Sequence, residues 1–181
     1  MLFRSTVANA YSGGVLDPNG NIHFVPAFAN RGQMISPSGV VSTYSLVYTA
    51  GSAYGGGVLD PNGNVHFVPQ NAPVGQKVSP SGVVSTYSLV YTINTAYGSG
   101  VLDPNGNIHF VPLSARVGQK ISPSGVVSTY SLAYTTTNGY LGGVLAQNNL
   151  DVYFVPYSAP VGQKLQINEN NNIINVSYFE R

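Results

Sequence analysis

Alternating apolar and polar positions dominate this chain and predict β-strands. The segment VVSTYSLVYT (40–49) places Tyr44, Leu46 and Tyr48 on one side of an extended strand and mostly small or hydroxylated residues on the other. No stretch keeps an apolar period of 3.6 residues over three turns, so no helix is predicted. Short apolar runs are separated by turns that contain Pro and Gly, a pattern typical of an all-β domain.

The pattern recurs with a fixed period. Val15, Val58 and Val101 begin the sequence VLDPNGN and Val144 begins VLAQNN, so the repeat is 43 residues long. Each unit predicts four strands, A to D, in which one hairpin turns at DPNG and a second turns at SPSG. In both turns the Pro presets φ and a later Gly tolerates a positive φ.

A four-stranded unit repeated at this length is the sequence sign of a β-propeller blade. We therefore predict an all-β propeller of four-stranded antiparallel blades. Its blades are expected at 11–53, 54–96, 97–139 and 140–181, and residues 1–10 are expected to form an N-terminal closing strand.

Four blades are compatible with two ways of closing a ring. One chain could form a closed four-bladed ring, or a homodimer could form a ring of eight blades. Glycine-rich A strands such as GGGV (55–58) allow backbones to approach closely around a narrow axis, which favours the smaller ring. Residues 2–7 are expected to add a strand that fastens the ring.

Composition narrows the class of protein. Seven Lys or Arg and six Asp or Glu give a net charge of +1, and too few basic residues for strong non-specific nucleic-acid binding. The absence of Cys excludes disulfides and thiol chemistry. No apolar run approaches the ~18 residues of a membrane helix. The start lacks the apolar core of a signal peptide, which favours an intracellular setting, a virus particle being one possibility.

Two motifs resemble a known repeat family. The sequences GGVLDPNGNVHFVP (56–69) and VGQKVSPSGVVSTYSL (74–89) are similar to the YVTN type of propeller repeat, which is related to NHL and SMP-30-like blades. The resemblance covers nearly the whole chain and implies the propeller architecture. It implies no single function, because such blades host lectins, hydrolases and scaffolds alike. The fourth unit is also similar to repeats in uncharacterised proteins of protists and large DNA viruses.

Histidines recur once in each of the first three units, and a tyrosine replaces them in the fourth. The residues are His23, His66, His109 and Tyr153. Three histidines could ligate a metal. Because the tyrosine breaks the set, we interpret them instead as hydrogen-bonded residues between blades.

Aspartates open all three DPNG turns, and no base, acid or metal ligand lies beside them in the sequence. We expect them to accept backbone N–H groups of the turn. These residues are Asp17, Asp60 and Asp103. Sequence motifs of nucleophilic, metal-dependent or nucleotide-dependent enzymes are missing as well. We therefore predict no catalytic, cofactor-binding or metal-binding residue.

Differences among the first three units collect at one end of the predicted ring, in the B–C loops and the D–A segments. Loops on a rigid framework often carry binding residues, although drift at tolerant loop positions gives the same pattern. Tyrosines that start the A strands would line the channel mouth at this end, or would plug it by aromatic packing. The candidate binding residues are Tyr11, Tyr54, Tyr97, Tyr140, Phe28, Arg31, Asn71, Arg116 and Tyr157.

The sequence thus favours a non-catalytic binding or scaffold protein that meets a protein partner at the loop end. One alternative is a multivalent carbohydrate-binding protein with a shallow site per blade, and a weaker one is a propeller enzyme. The expected partners are a protein or a glycan, without nucleic acid, membrane or cofactor. The expected state is a monomer or a homodimer.

Overall fold

A computed structural model describes residues 7–168 and 173–180 of the protein. Sixteen strands and no helix occupy these residues, so the all-β prediction is confirmed. Within the same ranges, no helix has the length and apolarity needed to cross a bilayer.

The strands form four antiparallel sheets, which are the blades, and in each sheet the spatial order follows the chain order A-B-C-D. In chain order the strands are β1 (Tyr11–Leu16), β2 (Ile22–Pro26), β3 (Arg31–Ile35), β4 (Val41–Ser45), β5 (Tyr54–Leu59), β6 (Val65–Pro69), β7 (Val74–Val78), β8 (Val84–Ser88), β9 (Tyr97–Leu102), β10 (Ile108–Pro112), β11 (Val117–Ile121), β12 (Val127–Ser131), β13 (Tyr140–Leu145), β14 (Val152–Pro156), β15 (Val161–Ile167) and β16 (Ile173–Glu180).

The A–B turns take their shape from the DPNG sequences. In blade 1 the Gly20 N–H donates to the Asp17 carbonyl at 3.0 Å, and Gly20 has a φ of 81°, which glycine adopts at little cost. The Asp17 side chain fixes the same turn, because its Oδ1 accepts the N–H groups of Asn19 and Asn21 at 2.8 Å. This is the turn role that the sequence predicts.

The outer D strands of blades 1 to 3 are shorter than the alternating sequence predicts. Strand β4 ends at Ser45, although the alternation continues to Thr49. Beyond the strand, the N–H groups of Val47 and Tyr48 donate to Oε1 of Gln76 in the next blade, at 2.8 and 3.0 Å. A side-chain amide thus replaces the strand ladder and joins two blades. The same bond is made across the next two interfaces by Gln119 and Gln163.

Each blade has a front face toward the preceding blade and a back face toward the following one. Tyr54 and Phe67 on the front of blade 2 are fully buried in one cluster with Val15 and Val25 on the back of blade 1. Complete burial of such a side chain contributes roughly 1.5–3 kcal/mol. Equivalent clusters join blades 2 and 3, and blades 3 and 4. This apolar packing between sheets is consistent with the low charge of the chain.

Glycine in the A strands permits this close packing. A Cβ atom at Gly57 would lie 2.6 Å from Cγ2 of Val15 and 2.9 Å from Cγ2 of Val25, well inside contact distance. Cβ atoms at Gly100 and Gly143 would meet the preceding blade at similar distances. The predicted close approach of A strands is therefore observed.

The described part of the four blades forms an open arc. Apolar clusters join successive blades, and none of them joins blade 4 to blade 1. Ile22 on the front of blade 1 is 40% exposed, whereas Val65 at the same position of blade 2 is 1% exposed. Val144 on the back of blade 4 is 54% exposed, whereas its equivalent Val15 is 9% exposed. The expected preference for a closed four-bladed ring is therefore not met, because glycine sets the spacing of the strands but not the angle between blades.

The N-terminal closing strand expected at 1–10 falls mostly outside the described residues, which begin at residue 7. Residues 7–10 form a bend and a turn that lead into β1 rather than a strand. The expected fastening by 2–7 remains a prediction.

Candidate functional site

Three blades carry a hydrogen-bonded network of Asp, His and Tyr on the back face. In blade 3, Nε2 of His109 lies 3.0 Å from Oδ2 of Asp103, and Nδ1 lies 3.2 Å from the Tyr130 hydroxyl. A neutral imidazole that donates from Nε2 to the carboxylate accepts the tyrosine proton at Nδ1. Equivalent networks join Asp17, His23 and Tyr44 in blade 1, and Asp60, His66 and Tyr87 in blade 2.

All three partners of a network belong to one blade, so the prediction that the histidines bond between blades is wrong. The aspartate lies in the A–B turn, the histidine on strand B and the tyrosine on strand D. Pairing of consecutive strands brings these positions onto one face of the sheet, because His109 is opposite Lys120 and Lys120 is opposite Ser128. The sequence alone does not give the register of strand pairing, so it did not predict that the three side chains share a face.

Burial and hydrogen bonding together set the charges of the network. Burial acts to raise the pKa of Asp103, but the hydrogen bonds from His109 and Asn107 outweigh it and the pKa is lowered. Burial lowers the pKa of His109 in spite of its bond to the carboxylate. Burial also raises the pKa of Tyr130 well above its usual value. At neutral pH we therefore expect a charged aspartate beside a neutral histidine and a neutral tyrosine.

Blade 4 replaces the network with other contacts. Tyr153 stands at the histidine position, packs edge-on against Phe179 with ring centroids 5.8 Å apart, and accepts a hydrogen bond from Asn149. Asp151 lies 3.6 Å from the Lys164 ammonium. The Asp–His–Tyr network is therefore confined to blades 1 to 3 among the described residues.

The networks resemble a nucleophile, base and acid relay, but in blade 3 the environment opposes such chemistry. The side chains of Asp103 and His109 have no exposed surface. The raised pKa of Tyr130 opposes formation of a phenolate. Both ring nitrogens of each histidine are also engaged within its blade, and the described residues include no group of three or more His, Cys, Asp or Glu suited to a metal ion. We conclude that the networks stabilise the blades.

The A-strand tyrosines lie within the interblade core. Tyr54, Tyr97 and Tyr140 are at most 1% exposed, and each packs at a tilted angle on a phenylalanine of its own blade. These three candidate residues therefore do not line an accessible mouth, because their side chains point toward the preceding blade rather than along the axis. Tyr11 is half-buried, and no blade among residues 7–168 and 173–180 precedes it; its hydroxyl donates to the Arg31 carbonyl at 3.2 Å.

Two equivalent crevices open at the loop end, between the B–C loop and the D–A segment of the same blade. The blade 2 crevice has a volume of about 200 Å³ and the blade 3 crevice about 290 Å³. Corresponding positions are one repeat apart, so that Asn71 is replaced by Ser114, and Pro73 by Arg116. The blade 2 crevice is lined by Asn71, Ala72, Pro73, Thr92, Ile93 and Asn94. The blade 3 crevice is lined by Ser114, Arg116, Thr135, Thr136 and Thr137.

Side-chain hydrogen bonds hold the walls of both crevices in place. Oδ1 of Asn71 accepts the N–H of Thr95 at 2.7 Å. One repeat later, Oγ of Ser114 accepts the N–H of Asn138 at 3.2 Å. Each wall is therefore fixed to the turn that leads into the next blade, which gives a side chain that enters the crevice a preformed surface.

In blade 1, the side chain of Phe28 occupies the place where blades 2 and 3 have their crevices. Phe28 occupies the position of Asn71, and a Cβ atom at Gly51 would lie 3.1 Å from its ring. Phe28 remains 45% exposed. Arg31 is exposed at the start of β3, and Tyr157 in the B–C loop of blade 4 is 61% exposed. With Asn71 and Arg116, these residues are the predicted candidates that reach the surface of the loop end.

The two ends of the blades differ in charge. Arg31 and Arg116 are exposed at the loop end, and neither forms an ion pair with another described residue. The aspartates whose side chains are described all lie toward the turn end, together with three lysines on the C strands. They are Asp17, Asp60, Asp103 and Asp151. Within the described part of the chain, unpaired positive charge is therefore presented at the loop end.

A larger groove lies away from these residues, between the outer strands of blades 3 and 4. It encloses about 410 Å³ and is lined by Tyr130, Ser131, Leu132, Ala133, Ile173, Asn175 and Val176. None of the described residues that line this groove is Lys, Arg, Asp or Glu.

Sequence reasoning missed the Asp–His–Tyr network, although a signal for it was present. The three residue types occur together in units 1 to 3 and change together in unit 4. There Ala146, Tyr153 and Phe179 stand at the aspartate, histidine and tyrosine positions. Joint replacement at three separated positions within a repeat indicates mutual contact.

Comparison with solved structures identifies the fold. The chain superposes on a catalytically inactive virginiamycin B lyase from Staphylococcus aureus, crystallised with quinupristin, with a TM-score of 0.81 at 16% identity. A streptogramin B lyase gives 0.80 at 18%, and a protein assigned as a gluconolactonase gives 0.67 at 14%. These matches cover 99%, 98% and 96% of this chain. No protein-family model and no curated protein sequence matches the chain.

The chain spans little more than half the length of the two lyases, 58% and 57% respectively, and 64% of the third protein. Identities this low show the fold alone, which is that of a β-propeller. The comparisons nevertheless correct one expectation. The prediction that this protein is not an enzyme is wrong as a conclusion from fold and repeat pattern, because enzymes are among the propellers that share its architecture.

Proposed function

We propose that the protein is a binding module whose loop end holds an acidic segment of a protein partner. The observation that carries this proposal is the pair of equivalent crevices with unlike linings in blades 2 and 3. One offers an amide and apolar surface, and the other offers a guanidinium group and hydroxyls.

The dimensions of the crevices suit single side chains. Volumes of about 200 and 290 Å³ lie below the roughly 300–1,000 Å³ of pockets that enclose a small molecule. An extended segment could place an apolar side chain beside Ile93 and a carboxylate beside Arg116. Guanidinium groups recognise carboxylates by paired hydrogen bonds, and the neighbouring threonine hydroxyls supply further donors.

Unlike linings favour a protein segment over a repeated glycan. A carbohydrate-binding protein with one site per blade would present the same groups in each crevice. Here Pro73 is replaced by Arg116, Ile93 by Thr136, and the blade 1 position is closed by Phe28. Such differences support recognition of a ligand whose chemistry changes along its length.

A peptide array tests this function, with acidic, neutral and basic peptides of equal length, together with a glycan array. We expect acidic peptides to bind more weakly as the salt concentration rises. Arg116→Gln should weaken binding about tenfold, which corresponds to about 1.4 kcal/mol for one charge-assisted contact. Lys77→Gln, with the same loss of charge at the other end, should leave binding unchanged. Binding of one glycan class without acidic peptides would replace this proposal by the carbohydrate-binding alternative.

Enzymatic turnover is a second candidate, supported by the lyases and the assigned gluconolactonase that share the fold. Incubation with quinupristin and with gluconolactone, followed by mass spectrometry, tests it directly. Conversion of either compound by the purified chain would favour this candidate. If both compounds remain intact while acidic peptides bind, the candidate is rejected for these substrates.

A further inference from the structure

The front face of blade 1 exposes apolar residues that the other three blades bury. Leu16 and Ile22 are 60% and 40% exposed on this face. At the position of Ile22, the following blades carry Val65, Ile108 and Val152, which are at most 1% exposed. The front face of blade 1 therefore has the side chains of an interblade contact without the blade that would complete it.

The back face of blade 4 shows the complementary situation. Val144 and Val155 are 54% and 50% exposed. Their equivalents on the back of blade 1, Val15 and Val25, are 9% and 1% exposed because blade 2 covers them. The described arc thus ends in a front face and a back face that both expose apolar residues, and these are the two halves of the contact that it already makes three times.

The space around equivalent glycines of the A strands shows the same difference between blade 1 and the other blades. A Cβ atom at Gly57, Gly100 or Gly143 would approach valine methyl groups of the preceding blade to between 2.5 and 3.0 Å. A Cβ atom at Gly14, the equivalent in blade 1, would meet only atoms of its own sheet, the nearest being Cγ2 of Ile22 at 3.2 Å. Gly14 therefore leaves room for valine side chains of a neighbouring blade, which are not among the atoms nearest to it in the described arc.

We infer that a second copy of this chain covers both faces. The back face of blade 4 of each copy packs on the front face of blade 1 of the other, so that two arcs close a ring of eight blades. The contact repeats the internal one, with Val144 and Val155 of one copy against Gly14 and Leu16 of the partner. The two contacts are related by twofold symmetry, and both apolar faces leave solvent.

Closure by one chain is disfavoured by the curvature of the arc. Its four blades superpose with a TM-score of 0.81 on 58% of the longer virginiamycin B lyase chain, so their curvature matches that of an arc within a longer chain. The exposed residues Leu16, Ile22, Val144 and Val155 are apolar, and so are their equivalents in the buried contacts. A second copy of the chain therefore offers each face the apolar surface that it already meets within the arc.

Light scattering during size exclusion tests the inference on the purified chain at micromolar concentration. We expect twice the monomer mass of 19.0 kDa. Leu16→Lys on the front face and Val144→Asp on the back face should each reduce the mass to that of one chain. Val126→Asp is the matched control, because Val126 is 62% exposed on a C–D turn away from both faces.

Mixing the two monomeric variants identifies the orientation of the pair. A head-to-tail dimer of Leu16→Lys with Val144→Asp has one unaltered contact and one in which lysine faces aspartate, so we expect the doubled mass to return. Circular dichroism before mixing verifies that each variant is folded.

A solution mass of 19.0 kDa for the unsubstituted protein would overturn the inference, and so would variants that stay dimeric. An assembly larger than two chains would overturn the two-copy ring. None of these outcomes depends on peptide binding at the loop end, so the two proposals fail separately.

Discussion

The His109 imidazole and the Asp103 carboxylate are joined by a 3.0 Å hydrogen bond between Nε2 and Oδ2, and neither side chain has exposed surface. The same carboxylate accepts the N–H groups of Asn105 and Asn107 and the Asn107 side-chain amide. One aspartate therefore closes the A–B turn and fixes a histidine on strand B. This links a local turn to the packing between blades.

Asp103→Asn should lower the free energy of unfolding by about 2–4 kcal/mol. The amide cannot accept all four hydrogen bonds, and it leaves a buried donor without a partner. Urea unfolding monitored by circular dichroism measures the change. The matched control is Asn148→Asp, the reverse exchange at an exposed position of the fourth A–B turn, with an expected effect within about 0.5 kcal/mol. Equal effects of the two substitutions would contradict the role of the network.

Stability should fall in acid because the aspartates have lowered pKa values. Burial acts to raise the pKa of Asp60, but hydrogen bonds from His66 and Asn64 lower it from 3.8 to about 2. The unfolded chain therefore binds the proton first as the pH falls, and with solvent screening of the carboxylate about 1–2 kcal/mol should be lost between pH 4 and pH 2. Above pH 4 this contribution is complete. When the free energy of unfolding from urea curves is plotted against pH over this range, the plot should be less steep for Asp60→Asn than for the parent chain. An equal pH dependence would count against the lowered pKa of Asp60.

Gly118→Ala should destabilise the protein by about 1–3 kcal/mol through overpacking. A Cβ atom at this position would collide with the ring of Tyr130, whose hydroxyl is bonded to His109. Thermal unfolding measures the effect. The control is Gly13→Ala, because the nearest atom to its added Cβ is 4.0 Å away. An unchanged melting temperature for Gly118→Ala would show that the ring can move at no cost.

Tyr54 and Tyr97 should respond differently to removal of the hydroxyl. The Tyr97 hydroxyl donates to the Val117 carbonyl at 3.3 Å, so Tyr97→Phe should cost about 1 kcal/mol. The Tyr54 hydroxyl is buried without a hydrogen-bond partner among the described residues, so Tyr54→Phe should be neutral or slightly stabilising. Each variant serves as the control for the other in urea unfolding. The reverse order would indicate that Tyr54 has a partner.

The repeat predicted the blades because their signals are local. Pro in DPNG presets φ, Gly20 accepts a φ of 81°, and Asp17 accepts the N–H groups of its own turn, all within five residues. The start of each A strand at a tyrosine and the alternation that defines the outer strands are likewise encoded within a few residues.

The candidate site was predicted only in part. Arg116 and Asn71 lie at the crevices because loops at one end of a sheet are exposed wherever the sheet is placed. Tyr54 could not be assigned from sequence, because the same alternation is compatible with an accessible mouth and with a buried core. Its complete burial depends on the neighbouring blade, which lies across the sheet rather than along the chain.

The sequence by itself determined four equivalent sheets and the turns that close them, since those depend on backbone preferences of adjacent residues. Only the tertiary structure decided the angle between blades. That angle produces the open arc and leaves the side chains of Ile22 and Val144 exposed. That angle depends on many contacts between large and small side chains of different blades. None of these contacts can be predicted from the repeat sequence. Pairing of strands within one blade, which also joins residues distant in the chain, brought Asp103, His109 and Tyr130 together on one face.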